Sequence, residues 1–171
     1  MIFLLSGFMG SGKTTLFERL KNSPTPGVGF RDTDQEVLAL HGAGFSDLGS
    51  YIESSGFSVF RAQERALLEQ ILLAEGDQLV SLGGGALDLE MAEKIAGLEN
   101  CCAVWLDVPF EVCWQRVKEA GQRPLVKKGK EFLEQLYSER LPTYQKSRIR
   151  LHSDQIEAIT ELSQLKALAA K

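Results

Sequence analysis

Eight residues near the amino end, Gly7-Phe8-Met9-Gly10-Ser11-Gly12-Lys13-Thr14, fit G-x-x-x-x-G-K-[ST], a spacing suited to gripping a polyphosphate. With glycine near 7% of residues, a chance match in a chain of this size is on the order of 1%. Glycines let the backbone curl and turn its N–H groups inward, and a helix starting at the loop adds partial positive charge. Lys13 then reaches the β/γ-phosphates, and the Thr14 hydroxyl meets Mg²⁺. The motif predicts a nucleoside triphosphate as ligand and leaves the phosphate acceptor open.

Other residues could complete such chemistry. Asp32-Thr33-Asp34 places two carboxylates just past a β-like run. One could hold the Mg²⁺ hydration shell while the other meets an acceptor hydroxyl, or the pair could be a turn and helix cap. Arg61 and Glu64 stand at i, i+3 on one helix face, as a surface ion pair or as an arginine held in place to grip a carboxylate. Gly83-Gly84-Gly85 is either a flexible turn or a backbone segment that a compact ligand approaches closely. Arg140 precedes Leu141-Pro142 in a tyrosine-flanked segment and on its own reads as a surface arginine.

Short β-like runs at residues 2–5, 28–31, 78–82, 101–106 and 148–152 alternate with helical patterns, predicting a parallel sheet covered on both faces. Helices are predicted near 14–20, 34–42, 45–54, 57–73, 88–97 and 109–119, with another restarting at Phe132 and carrying Pro142 as a kink. Residues 120–130, with Gly121, Pro124 and Gly129, read as a mobile loop. A capping box at Asp154–Glu157 is expected to open one terminal helix with Ile156, Ile159, Leu162 and Leu165 inward. In a parallel sheet, ligands collect at the carboxyl ends of the strands, where the P-loop, both aspartates and the glycine triplet fall.

The 171 residues suit one domain, and a 44% hydrophobic content is enough for a core. A net charge of −4, with one small basic cluster at Lys127, Lys128 and Lys130, argues against a nucleic-acid partner. No apolar run approaches a membrane span, and no basic stretch precedes the first apolar run as in a signal peptide. Cys101, Cys102 and Cys113 are odd in number and unsuited to zinc, which predicts reduced thiols in a cytoplasmic protein. No long exposed apolar stripe is evident, so a monomer is expected. A GTPase would show N-K-x-D, which is absent, and a motor would end its third strand on an acidic residue where this chain has Leu82 and glycines.

Taken in order, Gly7 to Thr15, Asp32-Thr33-Asp34, Phe60-Arg61 with Glu64, Ser81-Leu82-Gly83-Gly84-Gly85-Ala86, Arg123-Pro124-Leu125, and Arg140-Leu141-Pro142 with Tyr144 closely resemble shikimate kinase. The P-loop is common to many families, but the other five motifs together are specific. The resemblance implies a three-layer α/β fold with a five-stranded parallel sheet, of the P-loop nucleoside monophosphate kinase type. It implies transfer of the ATP γ-phosphoryl to the 3-hydroxyl of shikimate with Mg²⁺, in the pathway to chorismate and aromatic amino acids. Residues 1–171 would be one such domain, with a substrate-binding segment at about 34–62 and a lid at about 120–130.

By the same resemblance, Asp34 contacts the acceptor hydroxyls, Arg61 and Arg140 hold the carboxylate, and Gly83, Gly84 and Gly85 frame the ring. Asp32 and Thr14 serve Mg²⁺. Gly10, Ser11, Gly12, Lys13, Thr14 and Thr15 hold the phosphates, Arg116 lies against adenine, and Arg123 swings in from the lid. Lys13, Asp34 and Arg123 form the catalytic set. The chain departs from the family's pattern in three places. Phe57 stands where an acidic residue often follows the glycine, the lid is short and lysine-rich, and His152-Ser153-Asp154-Gln155 offers the nucleotide no arginine. A gluconate kinase-like enzyme and a catalytically silent relative are the alternatives.

Overall fold

The first apolar run forms the middle strand of the sheet. In the computed structural model, which describes residues 1–23, 25–120 and 124–170, β1 (Ile2–Ser6) is buried at every position. A strand flanked by parallel neighbours and covered on both faces needs such a continuous run. Its side chains alternate between two cores. Ile2 and Leu4 pack with Val80, Leu68, Ile71 and Met91, while Phe3 and Leu5 pack with Leu16, Leu20, Val104 and Leu151.

Around it lie β2 (Val28–Asp32), β3 (Asp77–Ser81), β4 (Cys101–Leu106) and β5 (Ile149–Leu151). The sheet order is β2-β3-β1-β4-β5 and every pairing is parallel. The chain fills one side of β1 and then the other, so the connections diverge above its carboxyl end and leave a crevice there. Both edge strands are less buried than β1 and β4.

The helices are α1 (Lys13–Lys21), α2 (Thr33–His41), α3 (Leu48–Ser55), α4 (Phe57–Leu72), α5 (Leu89–Ala96), α6 (Phe110–Ala120), α7 (Lys130–Tyr144), α8 (Ser153–Ala158) and α9 (Leu162–Ala169). Asp32, Asp47 and Asp88 cap α2, α3 and α5 by accepting backbone N–H bonds from Gln35, Ser50 and Met91. Pro142 lies inside α7. Within the segment read as a loop, Pro124–Lys128 forms a 3-10 turn.

The single terminal helix expected from the sequence is two helices. The chain turns extended at Ile159, with ψ 113°, and the Gln164 side chain accepts the Thr160 and Glu161 N–H groups at 2.8 and 2.9 Å. The start also differs: His152 is the N-cap residue, and its N–H donates to the Gln155 side chain at 2.9 Å. Periodicity alone carried the apolar positions through the break, because Ile156, Ile159, Leu162 and Leu165 all face the core.

Candidate active site

The sharp turn from β1 into α1 builds the donor half. Gly10 has φ +82°, and a Cβ there would lie 2.5 Å from the Cys113 carbonyl oxygen, so only glycine fits. Gly12, at φ +93°, caps α1 without a side chain, leaving the first helical N–H groups facing outward. Lys13 Nζ donates to the Gly7 and Phe8 carbonyls at 2.7 and 3.1 Å, which bends the ammonium back over the loop. A cleft of about 490 Å³ runs along Gly10, Ser11, Gly12, Lys13, Thr14 and Thr15 and reaches Asp32, Asp34, Ser81 and Gly84. Arg19, Val108, Arg116, Ser153, Ile156 and Glu157 complete its lining. Arg116 donates to the Gly10 carbonyl at 3.1 Å, placing this arginine beside the loop.

The acceptor half forms where β2, β3, α4 and α7 meet. Thr33 is fully buried; its hydroxyl donates to the Ser81 carbonyl at 3.3 Å and accepts the Gly83 N–H at 3.0 Å. This fastens the Asp32–Asp34 turn to the glycine triplet. Arg31 and Glu36 pair through two bonds of 2.8 and 2.5 Å and hold the first turn of α2 against β2. A side chain on Gly83 would collide with Glu64 Oε1 and lie 2.5 Å from Asp34 Oδ1, so both carboxylates crowd this glycine. On Gly85 a Cβ would lie 2.7 Å from Nη2 of both Arg61 and Arg140. Two arginines from distant helices thus converge on one point above the triplet.

Each arginine is held from behind. Arg61 Nη1 donates to Glu64 Oε2, and its guanidinium lies 5.0 Å from the Phe60 ring. Arg140 Nη1 donates to the Gly84 carbonyl at 2.6 Å, and the Tyr144 hydroxyl donates to the same oxygen at 3.0 Å. The Arg140 guanidinium also lies 5.7 Å from the Phe8 ring, which ties it to the P-loop. Burial pushes the Glu64 carboxyl up to about 7, with Arg61 pulling it down and Asp34 adding to the rise. Burial likewise raises Tyr144 to about 12, so it stays a neutral donor.

The structure brings Lys13, Thr14, Thr15, Asp32, Asp34 and Arg116 to one cleft, with Arg61, Arg140 and Gly83–Gly85 adjoining it at Asp34 and Gly84. Asp32 is also the helix cap that its residue type suggested. Arg123 lies outside the described residues. Nothing in the sequence singles out Thr33, because its partners Ser81 and Gly83 become neighbours only when β2 pairs with β3.

A P-loop at the central strand of a β2-β3-β1-β4-β5 parallel sheet, in a cleft that reaches Asp34 and adjoins two converging arginines, defines a small-molecule kinase of the nucleoside monophosphate kinase fold. The family model described as SKI, shikimate kinase, matches residues 9–167. A shikimate kinase from Persephonella marina is 35% identical, with 88% of this chain and 87% of that protein aligned. The structure of shikimate kinase from Bacteroides thetaiotaomicron superposes with a TM-score of 0.77 at 26% identity, covering 100% of this chain and 99% of that one. That of the Acinetobacter baumannii enzyme in complex with shikimate gives 0.75 at 25% identity, covering 97% and 92%. The chain belongs to the shikimate kinase family.

Proposed function

We propose that this shikimate kinase-family enzyme phosphorylates the 3-hydroxyl of shikimate with ATP using the following residue roles. The observation that carries the reading is the convergence of Arg61 and Arg140 over Gly85, beside Asp34 and in the crevice that holds the P-loop. Shikimate is a small ring with one carboxylate and three hydroxyls. Two guanidinium forks suit the carboxylate, because their charge-assisted bonds are directional. Gly83, Gly84 and Gly85 give the ring a surface without side chains. Asp34 then faces the acceptor hydroxyl.

In the reaction the 3-oxygen forms a bond to the γ-phosphorus as the bond to the β,γ-bridging oxygen breaks. ADP leaves, and the hydroxyl proton passes late to Asp34. Phosphoryl transfer needs in-line placement and positive charge more than covalent help. Lys13, the loop amides and the α1 N-terminus supply that charge, and Gly10–Thr15 seat the phosphates. Arg116 borders the adenine side.

Thr14 and Asp32 offer one hydroxyl and one carboxylate to the same cleft, and the described residues contain no cluster of three or more metal-ligating His, Cys, Asp or Glu side chains. That donor set fits Mg²⁺, which takes few protein ligands and fills its shell with water and phosphate oxygens. Bound with ATP, Mg²⁺ would offset charge on the β- and γ-phosphate oxygens.

Residues 34–62 act as the substrate segment of a single domain, and residues 120–130, with Arg123, act as a lid that excludes water. No described helix is long and apolar enough to cross a membrane, and the three thiols are buried and free, which supports a cytoplasmic enzyme. Both halves of the site come from one chain, which supports a monomer; sedimentation as a dimer would contradict it.

ADP release measured with ATP·Mg²⁺ and shikimate, gluconate or no acceptor tests the reading. Release that depends on shikimate is expected. Release with gluconate alone would make the chain a different sugar-acid kinase, and tight shikimate binding without release would make it a silent relative.

A further inference from the structure

We propose that Arg19 is a positioning residue that sets the nucleotide's base wall at a fixed distance from the phosphate loop, by hanging α8 from the last turn of α1. The proposal rests on the cleft being the nucleotide site. Its observations are separate from those that place the phosphates. Helix α8 has six residues, and its last carbonyls have no partners within the helix. Arg19 Nη1 donates to the carbonyls of Ile156 at 2.8 Å, Glu157 at 3.0 Å and Ile159 at 3.0 Å. One guanidinium therefore covers the end of α8 and the first extended residue beyond it. A cation at that end also meets the negative pole of the helix. Gln164 Nε2 adds a bond to the Ala158 carbonyl at 3.3 Å. These contacts hold the break between α8 and α9.

What makes this more than a structural tether is the other end of α1. Lys13 opens that helix at the phosphate loop, and Arg19 stands six residues on, about 9 Å along the axis at 1.5 Å per residue. Ser153, Ile156 and Glu157 of α8 line the same cleft as Arg116, which is itself bonded to Gly10. A single rigid helix thus spans the distance between polyphosphate grip and base wall. The segment after β5 brings no arginine of its own to the nucleotide, and Arg19 reaches this wall from the opposite end of the sequence.

Binding of ADP and of inorganic tripolyphosphate, each titrated calorimetrically into wild type, Arg19→Met and Arg19→Lys, separates a base-wall role from others. Tripolyphosphate carries the phosphates without a base. In Arg19→Met the affinity for ADP should fall about tenfold, while that for tripolyphosphate changes less than about twofold, as expected when only the base wall is displaced. Arg19→Lys, which can still donate to one or two carbonyls, should fall between. In turnover, KM for ATP should rise with kcat at saturating ATP retained, the pattern of lost uniform binding. Unaltered shikimate binding by both variants serves as the measure of an intact fold. Equal losses for ADP and tripolyphosphate would make Arg19 a phosphate contact or a general support and overturn the proposal, as would unchanged ADP affinity in Arg19→Met. Failure of wild type to bind ADP would instead sink the nucleotide reading of the cleft.

Discussion

Glu64 is 1% exposed, and its Oε1 has no hydrogen-bond partner among the described residues. Its position is explained by Arg61, which it holds, and by Gly83, which leaves room for it. The cost is a carboxyl pushed from 4.5 to about 7, chiefly by burial. Folded, it binds its proton more tightly than it does in the unfolded chain. Its contribution to stability is therefore complete below about 4.5 and is lost as pH rises to about 7. Denaturant unfolding of wild type and Glu64→Gln across that range should show wild type losing stability relative to the variant as pH increases. Parallel curves would mean that Glu64 ionises in the folded protein as it does in water. The i, i+3 spacing of Arg61 and Glu64 was legible in the sequence, but spacing does not separate a surface pair from a buried one. Packing of α4 against the glycine turn decides it.

The elements meet at the turn after β3, where Thr33 and Gly85 carry different loads. Thr33→Val keeps the shape and removes the hydroxyl, leaving the half-buried Gly83 N–H and the buried Ser81 carbonyl without that partner. It should lower stability by about 1–3 kcal/mol and reduce turnover, with Thr33→Ser restoring both. Wild-type stability and turnover in Thr33→Val would show that the turn is held without it. Gly85→Ala should drive Arg61 and Arg140 apart and weaken shikimate binding by about 1–3 kcal/mol, as overpacking does elsewhere. Calorimetric titration with shikimate reads this, and unchanged affinity would mean that the arginines do not converge in the bound state. Helices capped by aspartate and strands bounded by glycine could be read from local sequence to within a few residues. The break at Ile159 was hidden by the unbroken apolar periodicity and is held both locally, by Gln164, and by Arg19, more than a hundred residues away in sequence.

Across the whole molecule, the alternation of apolar runs and helical patterns carried the fold class, and the sheet order puts the P-loop, Asp32, Asp34 and the glycine triplet at one end of it. What local pattern could not supply was proximity: that Arg140 would bond the Gly84 carbonyl, or that Arg61 would meet it over Gly85. The site therefore has two halves that should fail differently. Shikimate-dependent ADP release, with kcat and the KM for shikimate determined together for Lys13→Ala and Arg140→Ala, tests this most directly. Lys13→Ala should lose roughly 10²–10⁴ in kcat, as when transition-state charge is left unbalanced, and keep its shikimate KM. Arg140→Ala should chiefly raise that KM, by an amount corresponding to about 2–5 kcal/mol for a broken buried charge pair. Normal turnover by Lys13→Ala, or an unchanged shikimate KM in Arg140→Ala, would contradict the account.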